Sequence, residues 1–150
     1  MDTKLEIVIV DDDPGHCELI RRNLKRAGLA NNLTTLSNGQ DALDFIYCQG
    51  DYLDRSPNKN LLLLLDVNMP GVDGLQVLKR IKNDSSKKHI PIVMLTTTDN
   101  PREIQECYKL GCSVYVTKPV EPDAFIDAIR RLGLFIAVFS VPPESSDPAL

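Results

Sequence analysis

One stretch of the sequence decides the fold: residues 61–71, which read LLLLLDVNMPG. An unbroken run of five apolar residues is typical of a strand that is buried on both faces, as in the middle of a parallel sheet. Asp66 follows this run directly, and Pro70-Gly71 is a turn signal just beyond it. We therefore expect Asp66 at the carboxyl end of a central strand, the edge at which open α/β sheets bind their ligands.

The composition is that of one globular domain of 150 residues, with 43% apolar and 25% charged residues. A net charge of −4 gives no basic footprint, so nucleic acid is not an expected partner. Neither a signal peptide nor an apolar run of roughly 20 residues is found, so no membrane partner is expected. The four cysteines show no CxxC spacing, which predicts free thiols and a reducing, cytoplasmic location. His16 and His89 are isolated, and we interpret both as structural or solvated.

Strands and helices are predicted to alternate along the chain. Apolar runs predict five strands, at Leu5–Val10, Leu33–Leu36, Leu61–Leu65, Ile90–Leu95 and Val114–Val116. Each is followed by a segment with helical spacing of its apolar residues, and the last of these segments runs from Pro122 to Leu132. Five such βα units predict an α/β fold, with a doubly wound five-stranded parallel sheet flanked by five helices.

The C-terminal residues differ from the rest of the chain. Residues 134–141 are nearly all apolar and are interpreted as an added strand, and the residues after them form a tail rich in Pro and Ser. The predicted organisation is therefore a domain over residues 1–133 and a C-terminal extension over residues 134–150.

The predicted strands end in polar residues that a parallel sheet would bring together. The first strand ends in Asp11-Asp12-Asp13, and because Pro14 is favoured at the first helical position, Asp13 is assigned to the helix cap. The other polar residues at strand ends are Asp66, Thr96 and Lys118. Three carboxylates about 5 Å apart repel by roughly 3 kcal/mol per pair at an effective dielectric near 20, which one lysine does not offset.

A hard divalent cation would offset this repulsion. Mg²⁺ is the expected ion, with Mn²⁺ or Ca²⁺ as substitutes, because oxygen ligands suit such cations. The same ion and Lys118 would then bind an incoming phosphoryl group, to which Thr96 would donate a hydrogen bond. Asp66 is placed to be the nucleophile, since a carboxylate can form an acyl phosphate.

These residues give the chain a family resemblance over roughly Lys4 to Leu132. It resembles the response-regulator receiver domain of two-component signalling in four segments: IVIVDD at 7–12, LDVNMPGVDG at 65–74, VMLTT at 93–97 and YVTKP at 115–119. Single strand-ending acids are common, but four such segments in this order are highly specific. The resemblance implies a flavodoxin-like receiver fold with strand order 2-1-3-4-5.

The resemblance also implies a role for each site residue. Asp66 would accept the phosphoryl group from a histidine of a sensor kinase. Mg²⁺ would be held by Asp12, Asp66 and the backbone carbonyl of Asn68, and Asp11 would act mainly through water. Thr96 and Lys118 would grip the phosphoryl oxygens. Tyr115 would be the aromatic switch, which turns inward as Thr96 moves and reshapes the surface around helix four and strand five.

The segments outside the shared core suggest partners. The loop Gln49 to Asn60 resembles stand-alone regulators that serve cyanobacterial phytochrome kinases, which makes a phytochrome the expected sensor kinase and a separate protein the expected output. A homodimer is also predicted, built on helix four, strand five, helix five and the extension. Large apolar side chains left exposed there would form a patch that monomers seldom tolerate; they are Leu134, Phe135, Ile136, Val138 and Phe139.

Two other functions are open at this point. Phosphatases that form an aspartyl phosphate use a DxD motif, which Asp11-x-Asp13 imitates, but such an enzyme would give Asp66 no role. A pseudo-receiver would use the fold for binding alone, although the intact set of acids, threonine and lysine disfavours it. The receiver is expected to be a signalling protein that catalyses only its own phosphotransfer and dephosphorylation.

Overall fold

The computed structural model describes residues 5–29, 32–57, 60–96, 100–117 and 121–140, and for residues 132–140 it describes the backbone alone. One parallel sheet forms the centre. Its strands are β1 (Glu6–Val10), β2 (Leu33–Leu36), β3 (Leu61–Asp66), β4 (Ile92–Thr96) and β5 (Val114–Thr117). They lie in the order β2-β1-β3-β4-β5 and all pair in parallel, which confirms the predicted fold class and strand order.

A helix follows every strand of the sheet. The five are α1 (Pro14–Arg26), α2 (Gly39–Ile46), α3 (Gly74–Lys82), α4 (Pro101–Leu110) and α5 (Pro122–Ser140). Side-chain oxygens of Asp13, Asn38, Asp73 and Asn100 accept backbone N–H groups at the starts of the first four, as residues of these types do at helix N-termini. Within the described ranges, no helix combines the length and apolar character that crossing a membrane requires.

The five leucines of β3 explain the two hydrophobic layers. Leu61, Leu63 and Leu65 pack in the layer that contains α2, α3 and α4, and Leu62 and Leu64 pack in the layer that contains α1 and α5. None of the five is more than 4% exposed. Successive side chains of a strand point to opposite faces, so a central strand covered on both faces must be apolar at every position.

The loop between α2 and β3 is longer than most, and its one arginine anchors it. It contains a short 3-10 helix, Gly50–Tyr52. The Arg55 guanidinium lies 3.7 Å from the centre of the Phe45 ring and 3.3 Å from Oε1 of Glu6. Both contacts join the loop to elements of the core, α2 and β1.

The extension is helical, and the strand predicted over residues 134–141 is wrong. The helix α5 continues without a break through Gly133 to Ser140. An apolar run does not distinguish a strand from a helix by itself. Adding turns to an existing helix also avoids the cost of nucleating a new element, and an interior glycine opposes this by only about 1 kcal/mol. Residues 141–150 lie outside the described residues.

Candidate functional site

Parallel pairing places the predicted acids side by side at one edge of the sheet. Val10 pairs with Leu65, so the next residues along the two strands, Asp11 and Asp66, are neighbours. Asp11 is 2% exposed and Asp66 4%, whereas Asp12 is exposed. Carboxylate oxygens of Asp11, Asp12 and Asp66 all lie within 4.8 Å of one another. The sequence prediction that the three acids meet is therefore confirmed.

This cluster suits a small, hard cation. Carboxylates at such separations repel by about 3 kcal/mol per pair at an effective dielectric near 20, and by less in pairs with the exposed Asp12, which solvent screens. Three carboxylates offer oxygen ligands alone. Divalent ions such as Mg²⁺ and Mn²⁺ favour oxygen ligands more than softer metals do. The exposure of Asp12 leaves the site open to water, and Mg²⁺ usually keeps several waters. The acids present therefore fit a divalent cation.

The carboxylate of Asp11 is held at both of its oxygens. Oδ1 accepts the backbone N–H of Asp13 at 3.0 Å, and Oδ2 lies 2.5 Å from Nδ1 of His16. The isolated position of His16 in the sequence does not indicate a part in the site. The available signal is its position three residues after the Asp13 cap. His16 is the third residue of α1 and so lies in the first helical turn, next to the end of β1.

Thr96 lies at the end of β4, on the other side of Asp66. Its predecessor Leu95 pairs with Asp66, and Thr96 itself is fully buried. The Asn68 side-chain amide donates a hydrogen bond of 3.2 Å to the Thr96 hydroxyl. The loop after β3 is thus joined to the end of β4, a contact that the sequence did not indicate.

The backbone of this loop packs tightly against the start of α3. The Gly74 N–H donates to the Val67 carbonyl at 3.0 Å. A Cβ atom at residue 74 would lie 2.2 Å from the carbonyl oxygen of Asp66 and 2.8 Å from Cα of Val67, distances that real Cβ atoms do not show. Gly74 is therefore required by the close approach of two backbones directly beneath Asp66.

Tyr115 lies on β5, one strand beyond Thr96, and is half-buried. Its hydroxyl donates a hydrogen bond of 3.0 Å to Oε1 of Glu103 on α4. Burial raises the pKa of this hydroxyl, the hydrogen bond to Glu103 and its charge raise it further, and a hydrogen bond with Thr96 acts in the opposite direction. The ring thus connects the site to α4 through Thr96 and Glu103.

Some predicted residues lie outside what the structure describes. Lys118, with Thr97 and Thr98, falls in the ranges left out, so its place at the site stays a prediction. The side chains of the predicted dimer residues are likewise not described, namely Leu134, Phe135, Ile136, Val138 and Phe139.

Comparison with known proteins agrees with this geometry. The response regulator receiver domain family matches residues 7–130. Response regulator Rcp1 of Synechocystis sp. is 38% identical over 112 residues, which are 75% of this chain and 75% of that protein.

Two solved structures are similar along most of their length. The bacteriophytochrome response regulator RtBRR superposes with a TM-score of 0.78 at 36% identity, covering 87% of this chain and 79% of that one. The Mn²⁺-bound form of Rcp1 superposes with a TM-score of 0.73 at 30% identity, covering 86% and 91%. The expected resemblance to phytochrome-associated regulators is confirmed. The match over residues 7–130 shows that the chain belongs to the response regulator receiver domain family.

Proposed function

We propose that this receiver domain accepts a phosphoryl group on Asp66 from a phosphohistidine of a sensor kinase, in a reaction that depends on Mg²⁺. The observation that carries the proposal is the convergence of Asp11, Asp12 and Asp66 within 4.8 Å. Such a cluster is costly without a cation, and it lies at the sheet edge where α/β folds bind phosphorylated ligands. Membership of the receiver family supports the same reaction.

The proposed phosphoryl transfer uses the side chains expected at this edge of the sheet. A carboxylate oxygen of Asp66 forms a bond to phosphorus as the P–N bond of the donor breaks, and the donor nitrogen keeps that electron pair and takes up a proton. Thr96 would donate a hydrogen bond to a phosphoryl oxygen, and Lys118 is expected to neutralise another. Mg²⁺, held by Asp12, Asp66 and the backbone carbonyl of Asn68 and, mainly through water, by Asp11, would supply positive charge to the phosphoryl oxygens. Mn²⁺ or Ca²⁺ would substitute for it.

Phosphorylation would act on the α4-β5-α5 face through Thr96. A new acceptor on Asp66 competes for the hydroxyl that now accepts the Asn68 amide and hydrogen-bonds Tyr115. Moving that hydroxyl leaves room for the Tyr115 ring to turn inward and give up its bond to Glu103. The surface formed by α4, β5 and α5 is therefore the proposed signalling face, and a separate protein is its proposed target.

The relatives support a place in light signalling. RtBRR is described as a bacteriophytochrome response regulator. We infer from this likeness that the donor kinase is a phytochrome and that the protein acts in the cytoplasm. Neither nucleic acid nor a membrane is a proposed partner. The extension along α5 is proposed to join two copies of the chain in a homodimer.

The rival phosphatase function conflicts with the position of Asp13. The Asp13 carboxylate accepts the backbone N–H groups of Gly15 and His16, at 2.9 and 3.3 Å, and so caps α1. A DxD phosphatase would need both Asp11 and Asp13 at the reacting group, whereas here Asp13 is engaged at the start of α1. Asp66, in contrast, would have no function in such an enzyme.

Acetyl phosphate labelling tests the proposal. The parent chain should take up one hydroxylamine-labile label in Mg²⁺ and none in excess chelator, and Asp66→Asn should take up none. Asp13→Asn is the matched control, because asparagine caps a helix as well as aspartate does and the change still removes a carboxylate. Label that persists on Asp66→Asn, or phosphatase turnover that is lost on Asp13→Asn, would contradict the proposal.

A further inference from the structure

We propose that His16 is a positioning residue of the cation site: it holds the Asp11 carboxylate in the orientation that the cation requires. This inference rests on the proposed function. Nδ1 of His16 lies 2.5 Å from Oδ2 of Asp11, and the two side chains are 9% and 0% exposed. An ionised carboxylate only accepts hydrogen bonds, so we assign the proton of this contact to Nδ1 of His16.

The start of α1 places this imidazole. Pro14 begins the helix, and the Asp13 carboxylate accepts the N–H groups of Gly15 and His16. The His16 backbone is thus fixed by the cap, and its side chain is fixed by Asp11. Asp13 therefore fixes the first turn of α1, and His16, held by that turn, fixes the Asp11 carboxylate.

The contact through Nδ1 is the one polar contact that His16 makes through its ring among the described residues. Its Nε2 atom is buried, and among the residues that the structure describes it has no hydrogen-bond partner. A buried polar atom without a partner destabilises a fold, and a methionine of similar size would fill the space without that cost. What methionine cannot do is donate to Asp11, so the contact through Nδ1 is the reason for an imidazole at this position.

The contact matters because the neighbours of Asp11 repel it. Carboxylate oxygens of Asp11, Asp12 and Asp66 lie within 4.8 Å of one another, so an unrestrained Asp11 lowers its energy by turning away. His16 opposes that rotation. A partner that orients a metal-binding group typically contributes roughly 10- to 100-fold in metal affinity, and we expect His16 to contribute in this range.

Mn²⁺ binding to the full chain tests the inference, measured by electron paramagnetic resonance at one fixed pH. His16→Met removes the donor and should weaken binding by roughly 10- to 100-fold. His16→Asn keeps an N–H donor near the position of Nδ1 and should restore most of the affinity. His89→Met is the matched control, since His89 is exposed, and it should bind Mn²⁺ as the parent does. Thermal melting in chelator gives a second measurement, which corrects the comparison for any stability lost when the buried Asp11 carboxylate loses this donor.

The outcomes separate this inference from the proposed function. Equal Mn²⁺ affinity in His16→Met and the parent would overturn the role of His16 while leaving the cation site in place. A His16→Asn variant that binds as weakly as His16→Met would also overturn it, because the loss would then come from packing and not from the donor. A parent chain that binds no Mn²⁺ would overturn the cation site and this inference together.

Discussion

The Tyr115 hydroxyl donates a hydrogen bond of 3.0 Å to Oε1 of Glu103, which joins the edge strand β5 to α4. The bond lies on the proposed signalling face, and the same hydroxyl also hydrogen-bonds Thr96 at the phosphoryl site. Both hydrogen bonds hold the Tyr115 ring in its present orientation. An inward turn of the ring would require that the bond to Glu103 be given up.

Replacing Glu103 with alanine should release the ring. Burial comes first among the causes that raise the Tyr115 pKa above its ordinary value, and the Glu103 hydrogen bond and charge come next. We therefore expect the Tyr115 pKa to fall in Glu103→Ala without reaching its ordinary value. Carbon NMR of ring-labelled tyrosine would follow the titration. Glu106→Ala is the control on the same helix, and an equal fall in both variants would refute the specific contact.

Gly74→Ala should disrupt the backbone that carries Asp66. Its Cβ would lie 2.2 Å from the Asp66 carbonyl oxygen, so the backbone of β3 or α3 must shift. Overpacking of this kind costs typically 1–3 kcal/mol, and we expect a loss of about 3 kcal/mol in the free energy of unfolding. Denaturant unfolding would measure it. Gly15→Ala is the control, because its Cβ meets nothing closer than 3.4 Å, and it should be neutral or stabilising.

Removing the exposed carboxylate of the cluster, that of Asp12, should weaken cation binding without destabilising the apo protein. In Asp12→Ala we expect Mg²⁺ affinity to fall by roughly 100-fold or more, because residues that only orient a ligand already contribute roughly 10- to 100-fold. The apo protein should be unchanged or more stable by up to about 1 kcal/mol, since repulsion from an exposed charge is of that size. Calorimetric titration and melting in chelator measure the two effects. Undiminished binding would place the ion elsewhere or assign it to Asp13.

The sheet and the acid cluster were predictable because both follow from local chemistry. Five consecutive leucines have only one common place in an α/β fold, a central strand, and whatever follows such a strand lies at the ligand-binding edge. Asp11 and Asp66 follow their strands directly, so their proximity needs no further information. Strand order came from the resemblance and not from periodicity.

Other features depend on packing that no local pattern records. His16 is a polar residue near a helix start, where most such residues are solvated, and only the angle at which α1 leaves β1 brings it to Asp11. The Asn68–Thr96 bond likewise joins residues 28 positions apart. The helical form of residues 134–140 was missed because apolar runs suit a strand and a helix equally well.

Acid should weaken the contact between α2 and the end of α3. The Asp84 pKa is lowered from 3.8 to about 2, first by the Ser86 hydroxyl and next by the Tyr47 hydroxyl, which donates at 2.7 Å. Because the folded pKa is the lower one, this stabilisation is complete above pH 3.8 and is lost as the pH falls through about 2. Tyr47→Phe should raise the Asp84 pKa, measured by NMR titration. It should also make the melting temperature depend less on pH in that window. Tyr52→Phe is the control and should change neither.

The last prediction is that the C-terminal half of α5 holds two copies of the chain together. The helix runs for 19 residues to Ser140, and at about 1.5 Å per residue it is roughly 28 Å long. Large apolar residues occupy 134, 135, 136, 138 and 139, and the pairs 134/138 and 135/139 repeat at a helical spacing of four. Such a run is rare at the surface of a monomer and common at an interface.

Sedimentation at micromolar concentration tests the dimer. The full chain and a chain ending at Ser140 should both sediment as dimers, and a chain ending at Gly133 should be a monomer. Because that truncation also shortens α5, the double variant Phe135→Glu with Phe139→Glu is needed, and it should be a monomer with the same helix content by circular dichroism. A full chain that stays monomeric both with and without acetyl phosphate would refute the dimer. A dimer that survives the double variant would place the interface on α4 and β5 alone.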